Sequence, residues 1–439
     1  MSREDLGDIR NRLEVDEEID LVGSPDGEGL WSDSQSLSRM SFFIEWLGSH
    51  IHLGDTWKFD NNDVAGVLCD YLDECELEPI SVPQLPLSSF FLYVIFAIIV
   101  VGVLFISPLL SIFLITILFV MFSLEIFGIF RFWRLFFPSL GGYNIFGVGD
   151  FSKAHQVVVC ASYDTTSCRG IFDSDKVQLE LGGHLSHLKI PYSRIPFVMI
   201  FYFVIFFLFG TLWLKFLQVG GHWGVVFLSG LILLSMVFVE FLLRRDCREK
   251  SLKKDGKNEE IEERLASVAT AIESVERLRK IELPFGIHLL LLGVSENGYG
   301  VDVFLRQHFD LLKAENTTFI FIEPLGGHSH KLHYVTREGV LFSKALSDKL
   351  LHSLDWTAAR FSQFYPHVKM GMTSSWLVSS HGYDAVSLSS VLSDKKTKIR
   401  SEEKVEDDIH SVIEIEKLDR VAGFVVAFVQ NLALEQEDS

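Results

Sequence analysis

The stretch VVVCASYDTTS, Val157 to Ser167, begins as an unbroken apolar run and breaks into small polar residues. Apolar side chains at every position, without alternation, predict a parallel strand over Gln156 to Ala161 covered on both faces. In open sheets of such strands, ligands bind beyond the carboxyl ends. Ser162, Tyr163 and Asp164 therefore stand where an α/β protein carries its chemistry.

Strand and helix patterns alternate through the rest of the chain. Further strands are expected at Ile287 to Val294, Thr318 to Glu323 and Ala385 to Leu388, and helices at Asn258 to Lys280, Val340 to Leu354 and Val412 to Leu434. The helix from Asn258 has one apolar stripe, Ile261, Leu265, Val268, Ile272, Val275 and Leu278, with an acidic start and a basic end that suit the helix dipole. The expected fold class is α/β, a three-layer, mostly parallel sheet with helices on both faces.

Composition adds a second expectation. The 439 residues are 48% hydrophobic and include 38 Phe. Four runs, Ser88 to Ile106, Leu109 to Phe130, Ile195 to Leu217 and His222 to Leu243, are nearly free of charge, and each is roughly 30 Å long as a helix. They predict two transmembrane helical hairpins, 88–137 and 195–243, that interrupt the sheet domain. Arg131, Arg134, Arg244, Arg245, Arg248, Lys250, Lys253 and Lys254 follow the even-numbered runs, so the positive-inside rule puts both termini and the α/β domain in the cytoplasm. The lipid bilayer is then one expected partner, and no amino-terminal signal peptide is read. Cys69, Cys75, Cys160, Cys168 and Cys247 lack zinc-ribbon spacing and are expected as reduced thiols.

The formal net charge is −19, and residues 1 to 80 hold 20 Asp and Glu against 5 Lys and Arg. That excess argues against nucleic acid as a partner. Residues 1–40 read as an acidic disordered tail and 41–87 as a helical lead-in. Residues 138–194 and 244–439 form the two parts of the sheet domain.

The order of motifs resembles the zinc-dependent exopeptidase family, which includes aminopeptidases and glutaminyl cyclases. GGYNIFGVGDFSKAHQVVVCASYDTTS is similar to its segment with an early Asn and a strand ending in H-x-D. LLLLGVSENGYGVDVFLRQH resembles its Glu-Glu motif before a glycine turn and helix, and TTFIFIEPLGG its strand ending in a metal-binding Asp. MTSSWLVSSHGYDAVSLS and KVEDDIHSVIEIEKLDRVAGFVVAFV follow in the family's order.

The resemblance implies roles position by position. Ser162 stands where the family has a zinc-binding His, and Asp164 where a carboxylate orients that His. Glu263 lies near the bridging Asp. Ser295 replaces the general base, Glu296 and Glu323 match metal-binding acids, and Lys404 or Val405 falls at the final His, with Asp408 as anchor and His410 beyond it. A two-metal hydrolase needs its His and carboxylate ligands and a base for the bound water. Their loss implies a scaffold without the two-metal site, acting in binding or scaffolding with a peptide or membrane protein partner and no cofactor. The alternative is a rebuilt zinc site using Glu296 and Glu323 with His328 and His330, or His184 and His187, in an atypical aminopeptidase or amide hydrolase at the inner membrane face. Ser374 and Ser375 lack a visible His-Asp pair, and Cys160 reads as a buried hydrophobe.

Overall fold

In a computed structural model, the run Gln156–Ala161 is the middle of a strand hydrogen-bonded along both edges. The structure describes residues 34–51, 61–72, 75–83, scattered positions between 96 and 124, 139–163, 178–179, 190–191, 254–294, 298–325, 330–339, 344–361, 363–370, 373–392 and 414–437.

The elements in chain order are α1 (Ser34–Ile51), α2 (Asn61–Tyr71), β1 (Glu76–Pro83), β2 (Ser139–Gly147), β3 (His155–Ser162), the two-residue β4 (Gln178–Leu179) and β5 (Ile190–Pro191), and α3 (Lys254–Arg279). They continue with β6 (Phe285–Leu292), α4 (Tyr299–Gln307), β7 (Thr317–Ile322), β8 (His330–Gly339), β9 (Lys344–Ala345), α5 (Asp348–Arg360), β10 (Phe364–Met370), α6 (Ser374–Ser380), β11 (Asp384–Leu392) and α7 (Ile415–Glu437).

Strand β3 pairs in parallel with β6, Val157 facing Ile287, and in parallel with β7 on its other edge. The sheet runs β1-β2-β6-β3-β7-β11-β8-β10, with β9 beside β8. The expected mostly parallel sheet is corrected to a mixed one. The centre β6-β3-β7-β11 is parallel, but β1 with β2, β2 with β6 and β8 with β11 are antiparallel. Tight turns and returning edge strands leave no period distinct from that of parallel strands, so an apolar pattern does not report direction.

Side chains alternate across the sheet. Val157, Val159 and Ala161 pack with α1, α3, α5 and α7, while Val158 and Cys160 pack against Val301 and Phe304 of α4 and Leu377 and Val378 of α6. Two covered faces explain why β3 carries no polar alternation. His288, in the fully buried β6, is the exception in that strand. Its Nδ1 accepts from the Gly149 amide at 2.8 Å, so the ring proton resides on Nε2, which donates to Gln156 Oε1 at 2.7 Å. Burial lowers its pKa to about 4, so the folded chain holds it neutral.

The helical layer is joined by buried ions. Glu273 Oε1 on α3 accepts from Arg39 Nη2 of α1 at 3.0 Å and Arg277 Nε at 2.9 Å, and Arg277 also bridges to Asp419 of α7. Helix α1 therefore starts at Ser34, inside the stretch expected as an acidic tail, because Arg39 and Met40 have partners in the core.

The expectation of four membrane spans is overturned. Among the described residues no helix is long and apolar enough to cross a membrane. Apolar composition alone does not make a span, which needs an unbroken helix of about 20 residues. The cytoplasmic assignment of both termini rested on those spans and falls with them. Residues 195–243, expected as the second hairpin, lie outside the described residues. The cysteine expectation is corrected too: Cys69 and Cys75 form a disulfide across a sequence separation of 6, which two half-buried sulfurs at the end of α2 and the start of β1 can reach.

Replacing Arg277 with Ala leaves Glu273 and Asp419, 3% and 4% exposed, short of a shared cation. The expected loss is about 3 kcal/mol of unfolding free energy, read from the urea midpoint.

Candidate functional site

The carboxyl ends of β3, β6, β7 and β11 share one edge of the sheet, and α3 crosses beside it. Two hydrogen-bond systems fix that crossing. Arg264 Nη1 donates to Ser162 Oγ at 3.3 Å. One turn along, Ser267 Oγ lies 2.8 Å from the Glu263 carbonyl oxygen and 2.9 Å from that of Glu323, and it accepts from the Leu325 amide at 3.1 Å. Three positions singled out in the sequence, Ser162, Glu263 and Glu323, thus meet at one end of the sheet.

A second cation arrives from α7. Lys417 is 4% exposed, and burial lowers its pKa from 10.5 to about 8, while the carboxylates of Glu414 and Glu263 oppose that shift. A buried ammonium is costly without such anions. Arg264 and Lys417 were not singled out in the sequence. Lys417 left a signal: it falls on the same helical stripe as Val421, Phe424 and Phe428, all buried, where a charge breaks the apolar face.

The segment carrying Ser295 and Glu296 lies outside the described residues, but its ends are tightly held. Asn144 Nδ2 donates to the Gly300 carbonyl at 2.9 Å, Asn144 Oδ1 accepts from the Gly293 amide at 3.4 Å, and the Gly300 amide donates to the Val294 carbonyl at 2.8 Å. Tyr163 Oη donates to the Tyr143 carbonyl at 2.5 Å. A Cβ on Gly293 would stand 2.0 Å from that same oxygen, so only glycine fits. Gly298 starts α4 with φ 66°, in the left-handed region that favours glycine. Asp164, His184, His187, His328, Lys404, Asp408 and His410 also lie outside the described residues, and His330 is described only as the first residue of β8, opposite Leu392.

The described donors do not fit zinc. Ser162 offers a hydroxyl that already accepts from a guanidinium, and a lysine ammonium stands beside Glu263. Zinc favours His, Cys and carboxylate ligands. Among the described residues no group of three or more His, Cys, Asp and Glu is placed to hold a metal.

Ser375 and Cys160 are closed to substrate. Ser375, 2% exposed, donates to Glu338 Oε2 at 2.6 Å and accepts from Ser387 Oγ at 2.8 Å. Cys160 is fully buried, and desolvation raises its thiol pKa well above the ordinary value.

No family model matches the sequence, and no curated protein matches it. Solved structures do show likeness. A zinc aminopeptidase from Bacillus subtilis aligns with TM-score 0.34 and 12% identity over 66% of this chain and 50% of its own. The glutaminyl cyclase of an Acidobacteriales bacterium aligns with TM-score 0.44 and 8% identity over 96% of this chain and 100% of its own. The glutaminyl cyclase of Fimbriiglobus ruber aligns with TM-score 0.41 and 8% identity over 90% and 95%. The chain spans about half the length of the Bacillus subtilis enzyme.

The buried ammonium gives the site a pH signature. Lys417 titrates at about 8 in the folded chain against the ordinary 10.5, so between those values the unfolded chain binds more protons and stability rises with pH. Urea midpoints measured across this window are expected to climb in the parent chain, and the climb attributable to Lys417 disappears in Lys417→Met.

Proposed function

We propose that this chain is an exopeptidase-like α/β protein that uses the carboxyl end of its sheet to bind a peptide segment and does not hydrolyse it. One observation carries the reading: the guanidinium of Arg264 rests on Ser162, the position where the resemblance implies a zinc-binding His. A two-metal hydrolase holds two cations about 3.5 to 4 Å apart over a polarised water. Here side-chain cations, Arg264 and Lys417, stand among Ser162, Glu263 and Glu414 and supply positive charge that two metal ions would otherwise bring.

The chemistry this favours is recognition. A fixed guanidinium orients carboxylates and carbonyls through directed hydrogen bonds. It has no proton to give or take near neutral pH, so it makes no general base. Arg264 is half-buried, within reach of a ligand at the sheet end, whereas Lys417 is 4% exposed and contributes charge without contact.

Metal analysis of the full chain purified without chelator tests the reading, alongside turnover of aminoacyl chromogenic amides. Zinc far below one equivalent per chain and no turnover are expected. About two equivalents of zinc, lost in Glu296→Ala and Glu323→Ala with concurrent loss of turnover, would overturn it in favour of the hydrolase.

A further inference from the structure

At the amino end of the parallel strands, opposite the site above, lies a cavity of about 780 Å³. Its walls include Val148, Leu278 and Phe285, and its mouth carries the exposed Asp150, Lys153 and Arg279. Cys75 forms part of the wall, and Cys75 is bonded to Cys69. The disulfide is half-buried, with one sulfur-bearing residue on a solvent-connected cavity large enough for a tripeptide-sized molecule.

What this bond fastens is a strand at the edge of the sheet, paired along all eight of its residues with β2. The bond joins the last turn of α2 to the residue before β1, and β1 is the edge strand of the sheet, paired only with β2. Its other described side-chain tie is Glu78 to His308, at the carboxyl end of α4. An edge strand has one ladder to break where a central strand has two, so its local opening precedes that of β3. A cross-link between α2, whose Val64, Ala65 and Leu68 are core residues, and the start of β1 restrains that opening.

We propose that Cys69–Cys75 is a reversible redox modification site, reduced in the folded chain by a low-molecular-weight thiol that enters through this cavity, and that its reduction releases β1 from the sheet edge. The thiolate of the small thiol attacks Cys75 Sγ; the Cys69–Cys75 bond breaks, and Cys69 leaves as a thiolate. A second thiolate then attacks the small-molecule sulfur of the mixed disulfide, Cys75 leaves as a thiolate, and the two small thiols depart joined as a disulfide. Two electrons pass from the small thiols to the protein sulfurs, and the protons shed by the small thiols cap Cys69 and Cys75. The site is independent of the ligand reading given for the other end of the sheet.

The loop that is closed spans a sequence separation of 6. The chain-entropy relation for a loop this short gives about a fiftyfold increase in local opening once it is cut. The experiment uses the full chain in native buffer, with dithiothreitol and, separately, glutathione as the thiol. Alkylation and peptide mapping are expected to find Cys69 and Cys75 modified after reduction without denaturant. Amide exchange in Glu76–Ser81 is expected to accelerate by tens of fold, with β3 amides unchanged. Cys75→Ser should show the fast exchange from the start and no response to thiol; should that variant fail to fold, the oxidised and reduced parent chains supply the comparison. Reduction that requires denaturant, or exchange in β1 that is equal in the two redox states, would overturn the proposal.

Discussion

Strand β3 is bonded on both edges and packed on both faces, and the rest of the architecture is arranged around that enclosure. A strand so placed has no position for a polar side chain between its ends, which is why Val157 to Ala161 are all small or branched apolar residues. Polar chemistry is displaced to the ends. At the amino end Gln156 satisfies the buried imidazole of His288, and at the carboxyl end Ser162 receives Arg264. Helix α3 is then fixed in height, since Arg264 and Ser267 grip the ends of two neighbouring strands. The buried ions of Glu273 and Arg277 carry that position onward to α1 and α7.

The site at the carboxyl end is an electrostatic balance made from side chains. Glu263 and Glu414 offset part of the desolvation of the Lys417 ammonium. The same edge of a sheet can therefore be stabilised by mobile metal ions or by covalently attached cations. In the second case the cations do not exchange, and they do not polarise a bound water as a metal does.

The sequence made the central strands legible because burial on both faces leaves an unmistakable apolar run: Gln156–Ala161, Ile287–Val294 and Thr318–Glu323 overlap β3, β6 and β7 within two residues at each end. Helices α3 and α7 were legible from their stripes. The edge strands were not. Strand β1, Glu76–Pro83, lies within the stretch expected as a helical lead-in, because an edge strand with Glu76, Glu78 and two prolines carries no clear apolar alternation. Helix α5 was expected from Val340 but starts at Asp348, where Ser347 caps it by accepting from the Leu350 amide. The order of motifs named Ser162, Glu263 and Glu323, which the fold brings to one end of the sheet through Arg264 and Ser267. Arg264 escaped notice because a charged residue in an acidic-headed helix looks like solvated surface, and its partner is 102 positions away. The disulfide is not legible because thiol spacing carries no statement of oxidation state, and the hydropathy runs mislead because apolar content alone does not establish an unbroken spanning helix.

The pairing of β3 with β6 also dictates when the chain can fold. Roughly 120 residues separate Ser162 from Phe285, so β3 leaves the ribosome long before the strand on one of its edges, and β7 follows later still. Until then a wholly apolar strand has two unsatisfied edges, the state most prone to pair with another molecule. Closing so long a loop adds little to the equilibrium cost compared with a shorter one, because that cost grows only with the logarithm of length. The penalty is kinetic. The central strand of this sheet is synthesised early and sheltered late, and a nascent chain of this protein is the form in which a chaperone would find it.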